Sequence, residues 1–450
     1  HGRIRYNHLG DKFQFMAGSA SVVNFEIDNN SRISLSNNDA GADNTVFGFL
    51  AGAALASGGD ENVLIGDYAV HRYLQKVYHR TVAIGFASLS SQVSDSNNET
   101  TGNTAVGTET GFYNVTGTNN TYLGYNSGKG ASEQSNSANT GVGANALVAV
   151  STGSSNTALG KDSSAAMTDG HNNVAIGNNS LEASTSVGYA VAIGNDAMVN
   201  GNATAAADGT VAIGASSLAA LTSGQYNTAI GYLSLSANQT GGGNTAVGYN
   251  SLLLSTDNDN TAMGRESLAS NVGGASNTGL GIYAGFGNAT GSANVYVGSS
   301  AGKGVANNNN SNNVGIGMDA MVAVTTGGNN VGVGKNALAA LNSSSYNTSV
   351  GSGSGDALTT GAFNTSIGAV SLSTVTTALN NTAIGFNAMS DVKAGVAVNG
   401  CVAIGKGALV GNADNTTGIN NTIAIGLSSS HSLTTGSRNT AVGHQQMYYN

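Results

Sequence analysis

The chain of 450 residues has no proline, no tryptophan and one cysteine, and only 9% of it is charged. Each scarcity removes a possibility. Without proline no backbone N–H is missing, so hydrogen-bonded ladders can run uninterrupted. A single cysteine, Cys401, excludes an internal disulfide framework, and with it any reading of compartment from thiols. A net charge of -9 leaves no basic footprint for nucleic acid. There is no run of 18 apolar residues, so no membrane-spanning helix is expected, and the opening residues do not read as a signal peptide. His rather than Met at position 1 reads as a processed or fragmentary chain. Acidic residues total 24 and show no paired set of the kind that would flank a sugar about 5–9.5 Å apart in a glycoside hydrolase. The chain is therefore read as non-enzymatic, with no cofactor.

What the sequence has in abundance is glycine, 66 residues of it, together with Asn, Ser, Thr and Ala. Such a composition also suits disorder. Against disorder stands a repeat. Asn227-Thr228-Ala229-Ile230-Gly231 followed by Ser234-Leu235 is a clean copy, and its glycine recurs 23 times from Gly48 to Gly443, most often 17 residues apart. Self-similarity at a fixed short period marks a solenoid or array.

Take the glycine as position zero. Position -3 is β-branched in every copy (Thr45, Val63, Val82, Thr104), and position -1 is large and apolar (Ile84, Leu159, Met263, Val442). Position -4 is Asn in 18 copies, among them Asn103, Asn156, Asn227, Asn244 and Asn381, and position -2 is mostly Ala, Gly or Ser. Strict alternation argues for a strand with two different faces. The bulky -3/-1 face is expected to be buried. The small -2 column, on the opposite face with the Asn column, is expected to pack against another chain; the competing reading is that Ala simply suits a thin core. Positions +3 and +4 are small and then often Leu or Met (Leu89, Leu147, Met198, Leu338, Met389), which reads as a second segment returning a bulky side chain into the coil. One repeat makes one coil of a parallel β-solenoid. Coils stacked about 4.8 Å apart would give a rod on the order of 105 Å. The Asn side chains are placed to form an amide ladder from coil to coil. Tyr122 and Tyr296 interrupt the small column, and each is matched by Gly at the Leu position (Gly128, Gly302), as Val46 is by Gly52. This pattern suggests volume compensation.

The pattern Asn-Thr-Ala-Ile/Val-Gly-x-x-Ala/Ser-Leu resembles the repeats of phage tail fibres. More distantly it is similar to the head repeats of trimeric autotransporter adhesins, through Val82–Gly85, Val191–Gly194, Val211–Gly214 and Val402–Gly405. The resemblance covers about 44–447. It implies an all-β homotrimer of left-handed parallel β-rolls, a structural and adhesive fibre at a virion tail or an extracellular surface. The implied partners are further copies of itself, other fibre or baseplate proteins and a host-surface glycan or protein, with neither nucleic acid nor membrane insertion. A bacterial trimeric surface adhesin head is the alternative. An ice-binding solenoid is a second alternative, disfavoured here because its Thr array would have to lie on an exposed face.

Residues 1–40 read as a separate β-module or cap ahead of the array at 41–450. Its first hairpin pairs Arg3–Tyr6 with Lys12–Phe15, and a second turn follows at Asp28–Ser31. One insertion stands apart as basic and aromatic: His71, Arg72, Tyr73, Lys76, Tyr78, His79 and Arg80. It is either a contact surface or a stiffening segment at the base of the array. The loops Ser90–Thr101 and Val199–Gly209 are expected to bulge outward, where recognition usually sits. Asp257-Asn258-Asp259 is a weak calcium candidate. Gly141-Val142-Gly143 and Gly315-Ile316-Gly317 lack the context of a dinucleotide fingerprint, and Gly298–Lys303 is one residue short of a P-loop. In a trimer three copies of Cys401 would approach one another; otherwise Cys401 is a small residue substituting in the Asn column.

Overall fold

The structure is a computed structural model. It describes residues 3–7, 12–16, 23–27, 33–34, 44–53, 55, 59–71, 78–93, 99–131, 134–200, 203–305, 307–392, 396, 398–412 and 416–447. The chain falls into two compact units, residues 1–196 with 202–205, and residues 197–201 with 206–450.

The fold is an all-β parallel solenoid. Positions -3 to -1 of each repeat form a three-residue strand, 23 in number among the described residues. In the first unit nine of these strands run from Thr45–Phe47 to Val191–Ile193; in the second, fourteen run from Val211–Ile213 to Thr440–Val442. Within each unit neighbouring strands pair parallel and in strict register, so Thr228, Ala229 and Ile230 lie opposite Thr245, Ala246 and Val247. The first unit also holds a four-stranded antiparallel sheet in sequence order: Arg3–Asn7, Lys12–Met16, Val23–Ile27 and Ile33–Ser34.

The faces of the strand are the reverse of the expected ones. The Ala column is fully buried, as at Ala105, Ala229, Ala246 and Ala383, and the Asn column is buried from Asn44 to Asn381, with only Asn439 of the last repeat half-buried. The -3 and -1 side chains point outward, and Met263 is 51% exposed. The small column is thus the thin core of each coil, not a surface for another chain. The reason is steric. Leu at +4 does return into the coil, where Leu89, Leu147, Leu235 and Leu338 are fully buried. A coil this narrow has room beside that Leu only for Ala, Gly or Ser at -2.

The two tyrosines show the same constraint. Tyr122 and Tyr296 are the largest fully buried side chains. A Cβ on Gly128 would lie 2.3 Å from the Tyr122 ring, and one on Gly302 would lie 2.1 Å from that of Tyr296. The rings also press on the coil that follows, where a Cβ on Gly141 or Gly315 would approach within 3.0 or 2.9 Å. The glycines are therefore the space these rings occupy. Tyr122 donates its hydroxyl to Asn136 Oδ1 at 2.5 Å, and Tyr296 donates to Asn310 Oδ1. Burial raises both phenols above their ordinary pKa.

The repeat glycine is the corner of the coil. Gly231 has φ +135°, a region almost confined to glycine, and a Cβ there would sit 2.5 Å from the Gly248 carbonyl oxygen of the next coil. Beyond the corner, +2 and +4 adopt the left-handed conformation even as Asn145 and Leu147. This reverses successive peptides: Asn145 N–H bonds back to Tyr125 O of the previous coil, and Leu147 N–H bonds forward to Ser163 O of the next. Each left-handed Leu costs on the order of 1–2 kcal/mol, and its burial returns about 1.5–3 kcal/mol. Gly231→Ala is expected to destabilise the fold by at least about 3 kcal/mol. Gly273→Ala, at a position with nothing within 4 Å of a Cβ, should be close to neutral. Denaturant unfolding of the two variants checks this, and equal effects would refute the corner assignment.

Candidate functional site

Two features run the length of each unit, one inside the coil and one outside it. Inside is the Asn ladder. Asn347 N–H donates to Asn330 Oδ1 at 2.9 Å, and its Nδ2 donates to the same oxygen at 3.2 Å and to Gly361 O at 2.9 Å. The Asn347 Oδ1 then receives Asn364 N–H at 3.1 Å. Each amide thus caps the start of one strand and ties the loop of the following coil. Asn156 bonds Asn139 and Gly170 O in the first unit, and Asn103 bonds Gln92 and Gly117 O. In the second unit Asn227 bonds Gly224 O and Gly241 O, Asn244 bonds Asn227, and Asn381 bonds Asn364 and Val398 O. All five are buried within their own coil, so their role is to hold coil to coil.

A second polar column was missed from sequence. Asn114, Asn238, Asn271 and Asn288, at +7, are fully buried and clamp the glycine three residues on; Asn238 accepts Gly241 N–H and donates to Gly241 O. Its signal was present as Asn-x-x-Gly at a fixed place in the repeat.

Cys401 occupies the ladder itself. Its N–H donates to Asn381 Oδ1 at 2.9 Å, and its Sγ donates to Ile419 O at 3.1 Å. The thiol is fully buried inside its own coil, so the approach of three copies to one another is excluded. Burial, which outweighs its backbone hydrogen bonds, raises the Cys401 pKa.

Outside is the strand face formed by -3 and -1. It carries Thr or Val beside Ile, Val, Leu or Met on coil after coil. Leu123, Leu159, Ile230, Met263, Val350 and Ile367 are all exposed. Exposed aromatics flank this face at -5 and +1: Tyr189, Tyr226, Tyr346 and Phe363 on one side, Phe86, Tyr125, Tyr232, Tyr249 and Phe386 on the other. Two pairs on adjacent coils stack. Tyr346 and Phe363 have centroids 5.1 Å apart with planes 3° from parallel, and Tyr232 and Tyr249 are 5.8 Å apart at 13°.

The basic insertion divides. Arg72, Tyr73 and Lys76 lie outside the described residues. His71 is half-buried with its ring edge-on to Tyr68, centroids 4.9 Å apart, and Tyr68 in turn meets Phe49 and Phe86. Tyr78–His79 pairs parallel with Glu99–Thr100, so the ends of two insertions form a short ladder of their own. His79 Nδ1 accepts Asp60 N–H at 3.3 Å. The same nitrogen lies 4.0 Å from the Asp60 carboxylate. Exposed Arg80 pairs with Glu61 at 2.7 Å, a surface bridge worth about 1 kcal/mol or less. Of this insertion the structure describes His71, Tyr78, His79 and Arg80, each of which has a partner in the stack of coils. Among its described residues Val199–Gly209 contains one 3-10 turn, Ala205–Ala207.

Among the described residues no three His, Cys, Asp or Glu side chains are grouped to hold a metal. Around Asp257–Asp259 the polar groups are used locally. Asp257 Oδ1 accepts Asn258 N–H, and Asn258 Oδ1 accepts Gly242 N–H. No helix among the described residues is long and apolar enough to cross a membrane. No protein-family model, curated protein or solved structure matches this chain.

The Cys401 placement has a direct consequence. In native protein the thiol should react with a soluble disulfide reagent at least about a hundredfold more slowly than in denaturant, because both access and thiolate formation are suppressed. Native reactivity equal to the denatured rate would place Cys401 outside the core.

Proposed function

We propose that the chain is a structural and adhesive fibre protein, assembled as a homotrimer through its outward strand face, that extends from a virion tail or cell surface and attaches by repeated contacts. The observation carrying this reading is the exposed Ile/Val/Leu column with its aromatic flanks. Monomeric proteins rarely leave a contiguous apolar patch of more than a few hundred Å² in water. A parallel sheet with a bulky apolar column is suited to packing against copies of itself, and closed symmetry would satisfy all copies at once. The expected trimer is kept, but the interface moves from the Ala/Gly/Ser column to the Ile/Val/Thr column. Three chains would repeat every loop around an axis, and modest contacts to a host glycan or protein would add by avidity. The fibre resemblance supports a tail-fibre segment, with a bacterial adhesin head sharing the same construction.

A second reading gains from one observation. The Thr column, whose expected burial disfavoured ice binding, faces outward at Thr104, Thr121, Thr140 and Thr157 and again at Thr228, Thr245, Thr261 and Thr278. Its neighbour at -1 is bulky and apolar, which favours packing against protein.

Light scattering of the native particle decides. The fibre reading expects a mass near three times 44.4 kDa. It also expects Val350→Lys with Ile367→Lys to shift the particle toward single chains while the far-UV spectrum holds. A monomeric wild-type protein that lowers the freezing point of water without lowering the melting point would replace this reading with the second.

A further inference from the structure

We infer that Arg265, Tyr283 and Lys303 form a binding site for an anionic polysaccharide, one bearing carboxylates or sulfates along its chain; this names the ligand class and the place for the attachment reading above and rests on it. The three residues come from successive coils of the second unit. Arg265 Cζ lies 4.9 Å from the Tyr283 ring centroid, and Lys303 Nζ lies 5.1 Å from it. Phe286 buttresses the ring edge-on, centroids 5.7 Å apart. Tyr283 N–H donates to Arg265 O at 3.0 Å, which fixes the ring one coil above the arginine. In a chain with 15 basic and 24 acidic residues, two cations converge on one ring, and among the described residues neither makes an ion pair. The nearest acid in sequence, Glu266, is held by its backbone to Tyr249 O and forms no bridge to Arg265.

The molecule contains its own comparison. Coil lengths from Gly107 to Gly194 repeat from Gly281 to Gly368, and Gly128-Lys129-Gly130 in the first stretch answers to Gly302-Lys303-Gly304 in the second. Each stretch carries a fully buried tyrosine at the same place, Tyr122 or Tyr296. At the place of Tyr283 the first stretch has Glu109, with the same left-handed backbone (φ 54° against 57°) and the same bond back to the preceding coil, Glu109 N–H to Phe86 O at 2.8 Å. There Lys129 is neutralised by Glu109 at 2.6 Å, and this hydrogen bond is the main cause of its raised pKa. Phe86 stands where the second stretch has Arg265. One backbone arrangement thus occurs twice. In the first its lysine is consumed by an internal carboxylate, and in the second the acid is an aromatic ring and an arginine is added.

The second arrangement suits an external anion. Cation–π contact holds both side chains in place without cancelling their charge, so little freedom is left to lose on binding. Arg265 offers a planar fork for a carboxylate or sulfate, and Lys303 offers a point charge two coils further on, about 10 Å away along the stack at the usual strand spacing. Two charges set along the stack fit a linear polyanion lying parallel to it. The site lies beyond the glycine corner and does not use the -3 and -1 columns assigned to chain packing.

The test uses the full chain on surfaces coated with polygalacturonate (carboxylate), dextran sulfate (sulfate) or uncharged dextran. Binding to at least one polyanion and not to dextran is expected, weakening as salt is raised; which polyanion binds names the anionic group. Tyr283→Glu, which gives Lys303 the partner that Lys129 has, should weaken binding by about tenfold or more, as should Arg265→Gln with Lys303→Gln. Lys129→Gln should leave binding unchanged. Glu109 shows that the backbone accepts a glutamate at this place, so Tyr283→Glu should keep the wild-type far-UV spectrum and melting temperature. Wild-type protein that binds neither polyanion, Tyr283→Glu that folds and binds as tightly as wild type, or equal loss in Lys129→Gln would overturn the site. These readouts need neither cells nor oligomeric mass. Failure here removes the site and leaves the fibre reading, whereas failure of the fibre reading appears in the particle mass.

Discussion

Backbone approach at the glycine corner is the constraint on which the rest of the structure depends. At Gly143, Gly160 and Gly177 a Cβ would lie 2.3–2.4 Å from the carbonyl oxygen of the next coil. Coils that stack this closely leave no room for side chains at the corner and little room inside. From that follow the Ala column, the Leu that enters from the other segment, and the Asn amides that fill the remaining space while satisfying backbone groups that no strand pairs. Buried polar groups are costly unless bonded. Here they are bonded in series, so each coil completes the bonding of its neighbour. Stability of this kind is shared between nearest neighbours rather than held in one core.

The period, the strand at -3 to -1, the parallel stack and the returning Leu were all legible in the sequence. Which face turns inward was not. The usual expectation puts the larger apolar residues inside, and at Ile230 or Met263 it fails because the interior is too thin for them. The clue was nevertheless present. Tyr122 with Gly128 and Tyr296 with Gly302 vary together in size, which only side chains sharing one core need do. Taken at full weight, that pairing puts -2 and +4 in contact and turns -3 and -1 outward. The left-handed backbone at +2 and +4 was also hidden, because Leu gives no local signal for it. Asn126, Asn145, Asp162 and Asn179 at +2 do, since Asn and Asp tolerate that conformation.

The same reversal changes what the surface can do. An inward Ile column would leave a polar rod with function confined to its loops. An outward one gives each unit a long apolar face edged by aromatics, with charged residues sparse enough that each cluster matters. The matched stretches around Tyr122 and Tyr296 show how such a scaffold diversifies. The coils and their glycines stay fixed, while single outward positions such as Glu109 and Tyr283 change the chemistry displayed.

The assignment of faces can be tested at two adjacent residues. Ala262→Cys and Met263→Cys, each made with Cys401→Ser, place a thiol on either side of one strand. The account predicts that Cys at 262 resists both a thiol reagent and oxidative cross-linking in native protein, whereas Cys at 263 reacts with the reagent or cross-links to a second chain. A reactive thiol at 262 beside an inert one at 263 would contradict it and return the bulky face to the interior.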